Sequence, residues 1–152
     1  IKFLNFYQDE CFLFITLFEP NALQVEKQGY GYVVASVGEL GGVVPYTTYF
    51  ARNSYLTKNN DLIKSFRDAI QKGLDFVHNS TDEEVAKAII NQFPDTSLKD
   101  ITNVVKRYRK IDAWPKTIEY KKESFDHLQE IMENANELDK KVSYDKLKYE
   151  IK

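Results

Sequence analysis

Glu19 and Pro20 stand where an apolar run, Phe12 to Phe18, stops. A carboxylate at a strand end is well placed to accept hydrogen bonds from an amino or ring N–H of a small molecule. The same residue can equally be an exposed loop acid or cap the helix that follows. Pro20 fits the first position of such a helix on structural grounds alone. Downstream, Val37-Gly38-Glu39-Leu40-Gly41-Gly42 leads into Val43-Val44-Pro45-Tyr46-Thr47-Thr48-Tyr49-Phe50. Its glycines permit positive φ and close backbone approach, but no Lys-Ser or Lys-Thr pair closes the loop into a phosphate cradle. Gly42 therefore belongs either to a loop at a cleft mouth or to a plain turn. Pro45, Tyr46 and Thr47 offer a ring face and hydroxyls to a flat or anionic ligand; an aromatic segment of this kind can also be core.

Other chemistry is poorly supplied. The chain has two histidines. His127 and Glu130 lie one helical turn apart, a spacing that could share a metal, yet no third ligand completes a shell and a solvated helix face is the expectation. Ser36 has no Gly-x-Ser-x-Gly surroundings and no Ser-His-Asp order is evident. Asp82-Glu83-Glu84 reads as first-turn charge complementing a helix dipole, and Lys106-Arg107-Tyr108-Arg109-Lys110 as the wet face of a helix. No catalytic residue, metal or cofactor is expected. With 21 basic and 23 acidic residues, the chain carries a formal charge of −2, too balanced to draw in nucleic acid.

The elements that must position these residues fall into two kinds. Phe12–Phe18, Gly31–Ser36 and Val43–Phe50 are continuous β-branched and aromatic runs, predicting strands covered on both faces. Asn21 to Gln28 is helix-compatible, with Gly29 to end it. From Tyr55 on, apolar residues recur at helical steps: Leu62, Phe66, Ala69, Ile70, Gly73 and Val77; then Val85, Ala86, Ile89, Ile90 and Phe93 behind a Thr81/Glu84 capping box. Pro94 blocks continuation. Leu98, Ile101, Val104, Val105 and Tyr108 form the next stripe, and Phe125, Leu128, Ile131, Met132 and Ala135 another, before a short Tyr144–Ile151 segment. The fold class is thus α/β, a few N-terminal strands followed by a helical C-terminal half. Strands without polar alternation need neighbours on both edges, so the sheet looks incomplete; missing upstream sequence or a second copy would complete it.

At 152 residues the chain can bury roughly 70% of the surface its unfolded form exposes. Cys11 is the only cysteine, so no intrachain disulfide forms; Gln8-Asp9-Glu10 before it rule out a lipoprotein cysteine, and a buried thiol beside Phe12 and Phe14 is expected. The apolar run is too short to span a bilayer. No signal pattern is present, and a start at Ile1 without Met reads as a mature product, a fragment, or a sequence missing its upstream part.

Thr16-Leu17-Phe18-Glu19-Pro20, Gly31-Tyr32-Val33-Val34-Ala35-Ser36 and Val44-Pro45-Tyr46-Thr47-Thr48-Tyr49, in that order, resemble the central part of ABC-importer solute-binding proteins of the nitrate/sulfonate/taurine and thiamine-precursor group. The likeness continues through Tyr55–Asn60, Phe66–Gly73, Val105–Tyr108, Trp114 and Leu128–Met132, from about Thr16 to near Leu147; residues 1–11 depart from the pattern. The resemblance implies part of a two-lobed type II periplasmic-binding-protein fold. Residues 1–50 would be the strand-rich end of the second lobe and the inter-lobe crossing, and residues 51–152 the helical C-terminal part of the first lobe. It implies a small-molecule solute held by Glu19, Pro20, Gly42, Pro45, Tyr46 and Thr47, an ABC permease as membrane partner, and an extracellular or periplasmic lipoprotein in the full-length family. Alternatives are a truncated product that dimerises through unpaired strand edges, or a pyrimidine-synthesis enzyme on the same fold. The cysteine-rich iron element of those enzymes has no counterpart here, so the expectation is a binding protein and not an enzyme.

Overall fold

The structure, a computed structural model, describes residues 14–150; Cys11, the front of the first apolar run and Ile151 lie outside the described residues. The elements are α1 Asn21–Lys27, α2 Val37–Leu40, α3 Asn53–Lys58, α4 Asn60–Asn79, α5 Asp82–Ile89 with a short turn of tighter helix at Ile90–Gln92, α6 Leu98–Lys110, α7 Lys122–Asn134 and α8 Tyr144–Leu147. None is long and apolar enough to cross a membrane.

Local signals set most helix ends. Gly29 takes φ +74° just beyond α1, the left-handed geometry that stops a helix. Thr81 and Glu84 form a full capping box on α5, and Ser97 accepts from the Asp100 backbone N–H to start α6. The dry centre lies between α5 and α6, where Val85, Ala86, Ile101 and Val105 are buried and Val77, Ile90, Phe93, Leu98 and Trp114 pack around them. Arg109 fastens this pair to α4: it donates to the carbonyls of Val77 and Ser80 and pairs with Asp82 at 2.7 Å. A cation against the last carbonyls of α4 and the first-turn acid of α5 suits both helix dipoles. A second cluster joins α7 to α8, with Tyr120 stacked on Tyr144 and Phe125 tilted against both.

The α/β expectation needs correction. The molecule is helix-rich, and among the described residues none of the three apolar runs forms a strand. Ile15–Phe18, Gly31–Ser36 and Val43–Phe50 lie outside helices but are not paired with one another. A strand exists only through ladder hydrogen bonds to a neighbour, and these runs find none. Where a backbone donor is satisfied it turns elsewhere: the Val33 N–H donates to the Glu26 carboxylate at 3.0 Å. The strand edges through which a second copy was to pair are likewise not formed among the described residues.

The same region is poorly covered. Tyr32, Val34, Val43 and Phe50 are 74–97% exposed, and α4, twenty residues with an apolar stripe, buries none of them. Total accessible surface is 12955 Å², whereas a compact monomer of 17.8 kDa exposes about 8,000 Å².

Candidate ligand-binding site

Glu19 sits at the turn before α1, and Pro20, reached through a cis peptide, occupies the N-cap position of that helix. The Glu19 side chain is 11% exposed and its two oxygens are held from different directions. Oε2 accepts the Leu23 backbone N–H at 3.0 Å, the cap that a residue ahead of a helix can make to its first turn. Oε1 accepts from Arg107 Nη1 of α6 at 2.7 Å. The other end of the same guanidinium donates to Glu26 in α1, and Lys27 reaches both Asp100 oxygens at 2.8–2.9 Å. Ion pairs thus bind α1 along the face of α6.

Charge follows geometry. The Val33 N–H and then the Arg107 guanidinium hold the Glu26 carboxyl below its ordinary range. Lys27 first, then Ser97, do the same for Asp100. Burial alone would lower the Arg107 pKa, but the carboxylates of Glu26 and Glu19 carry it above the usual guanidinium value. Burial raises the Tyr108 phenol, which lies against the Glu19 backbone and near Tyr46.

Tyr46 joins the group through aromatic contact, its ring 5.8 Å from that of Phe18 and tilted by 55°. It remains 76% exposed and presents a ring to solvent against Phe18, the residue before Glu19. In the chain, Pro45 before it is half-buried and Thr47 after it is exposed. The contact of Tyr46 with Phe18 thus brings the Pro45–Thr47 segment to the turn that carries Glu19 and Pro20. Gly42 is placed differently: at φ +73°, its α-carbon faces His127 of α7 so closely that a Cβ would meet Nε2 at 3.2 Å. The Gly41 carbonyl lies 2.9 Å from that nitrogen. His127 is thus tied to the backbone, and the described residues contain no group of His, Cys, Asp and Glu arranged to hold a metal. The glycine-rich segment is a one-turn helix, α2, capped by Ser36, docked on α7.

Sequence reasoning missed Arg107 and Glu26. Arg107 lies within a basic run that reads as a solvated face, and its partner Glu19 is 88 positions away. Its place between Val104 and Tyr108 on the apolar side of α6 was the available signal. A cavity of about 240 Å³ is lined by His78, Arg109, Asp112 and Trp114. Two of its polar groups are engaged structurally, Arg109 as described and His78 Nε2 with the Pro115 carbonyl at 3.1 Å.

No solved structure matches the chain. It is 38% identical over 134 residues to "Putative binding protein YtlA" of Bacillus subtilis (strain 168). That alignment takes in 88% of this chain and 40% of the relative's length, so the chain spans well under half of the curated relative it matches. The family model described as NMT1/THI5 like matches residues 5–84, a stretch that contains Glu19, Pro20, Gly42, Pro45, Tyr46 and Thr47. With more than half of its length matched, the chain belongs to the NMT1/THI5-like family.

Proposed function

We propose that the chain acts as part of the solute-binding component of an ABC importer, working outside the membrane and delivering a small solute to a permease. The observation that carries this reading is a pair of features within the family-matched stretch: the oriented carboxylate of Glu19 and the open ring of Tyr46, which rests on the neighbouring Phe18. Such a pair suits a flat solute with an amino or ring N–H, the ring stacking on Tyr46 and the N–H donating to Glu19. Two carboxylates, Glu19 and Glu26, face one guanidinium, Arg107, so the local charge disfavours nitrate and sulfonates and favours a thiamine-precursor type of aminopyrimidine. Nothing in this reading calls for catalysis. Gly42, docked on α7, shapes the approach from that side.

The exposed extended runs support a type II periplasmic-binding-protein fold of which this chain supplies one wall. Pairing and cover for residues 14–50 would come from a further lobe, and enclosure of a solute needs both walls. Alone, the chain should bind only weakly. A chimera in which it replaces the matching stretch of the Bacillus subtilis relative tests the proposal. In thermal-shift measurements an aminopyrimidine thiamine precursor should raise the melting midpoint by several degrees, with taurine, other sulfonates and nitrate doing less. A chimera that folds but is stabilised by none of them would overturn the solute class.

A further inference from the structure

We propose that Arg107 is a positioning residue for the solute, holding the Glu19 carboxylate in a single orientation for a solute N–H. The inference rests on the reading of Glu19 as the solute's acceptor.

Glu19 belongs to a turn and has no ladder or helix of its own to fix it. The Leu23 N–H on Oε2 is a local contact that anchors one oxygen and still allows the carboxylate to swivel. The 2.7 Å bond from Arg107 to Oε1 supplies a second point and so defines the plane. Arginine side chains are long, but this one is itself pinned: Glu26 takes its other nitrogen, and Glu26 in turn accepts the Val33 N–H. The relay therefore runs from a backbone amide through Glu26 and Arg107 to Glu19. Only a planar, forked cation spans both carboxylates; a lysine ammonium is a point charge that satisfies one at a time. Tying α1 to α6 does not by itself explain the arrangement, since Lys27 and Asp100 already make that connection. Each carboxylate oxygen keeps a second lone pair, and these are what a solute N–H would use.

The test is a binding titration of the full chain followed by NMR, with the aminopyrimidine thiamine precursor as probe at millimolar concentration, alongside thermal melts. Glu19→Gln and Arg107→Gln should each weaken binding by about tenfold, and the double variant no more than Glu19→Gln alone, because both changes act through one carboxylate. Arg107→Lys should recover melting temperature but not affinity. Lys27→Ala should lower the melting temperature and leave affinity unchanged. If Glu19→Gln weakens binding while Arg107→Gln does not, or if the two losses add, Arg107 has no positioning role although the site stands. If Glu19→Gln binds as the wild type does, or the wild type shows no binding at this concentration, the reading of Glu19 falls and takes the role of Arg107 with it.

Discussion

Two glycines adopt nearly the same backbone conformation in different surroundings, and the contrast is measurable. Gly29 at φ +74° has open space where a side chain would go, whereas Gly42 at φ +73° has the His127 ring in that space. Alanine at either position meets the left-handed strain, about 1 kcal/mol; at Gly42 it must also displace a ring held by the Gly41 carbonyl. Gly42→Ala should therefore lower the urea midpoint more than Gly29→Ala does, and equal losses would mean that the contact between α2 and α7 contributes little. At this scale sequence reading succeeds where the cause is local. Gly29 as a helix stop and Thr81 with Glu84 as a capping box follow from neighbours within four positions. Glu19 was recognisable as an acid able to cap the helix that follows, as it does through the Leu23 N–H, but its second partner was not. Its partner Arg107 is distant in the chain, and nothing in a basic run says which cation turns inward.

At the scale of elements, α1 rides on α6 chiefly through charge: Leu23 is its buried residue, while Glu19, Glu26 and Lys27 pair with Arg107 and Asp100. That makes the contact acid-sensitive. Glu26 and Asp100 are both held below their ordinary values of 4.5 and 3.8. Their contribution is complete above those values and is lost as pH falls through the depressed ones, because the unfolded chain then binds protons that the folded chain resists. Melting temperature should be flat from neutral pH down to about 5 and fall steeply below about 4. A Glu26→Gln, Asp100→Asn variant, less stable at neutral pH, should converge with the wild type in acid; circular dichroism melts across pH read this, and a constant gap between the curves would refute it. Helices were legible from periodicity because each carries its own hydrogen bonds. The strands were not, for the opposite reason. Val33-Val34 and Val43-Val44 have the composition of buried strands, but composition cannot supply the neighbouring backbone that turns an extended run into a strand.

For the whole molecule the question is what covers residues 14–50 and the apolar stripe of α4. The centre between α5 and α6 is well packed, yet the surface exceeds that of a compact monomer of this mass by roughly 60%. Among the residues left exposed are large apolar ones, Phe14, Tyr32, Val34, Leu40, Val43 and Phe50. Exposed apolar area on this scale is unstable in water and seeks a partner. If a further lobe is the natural cover, the isolated chain should bind a hydrophobic dye strongly and associate as its concentration rises, with weight-average mass by light scattering climbing above the monomer. Adding the portion of the Bacillus subtilis relative that this chain does not match should suppress both effects and raise the melting temperature. Self-association alone would instead settle into one defined dimer that the added portion leaves unchanged. A dye-free monomer at high concentration would mean that residues 14–50 fold back onto the helices in solution, and the two-walled site would lose its physical basis. The three outcomes differ in mass and in dye signal, so one sedimentation and fluorescence series separates a wall awaiting its opposite from a self-sufficient helical domain.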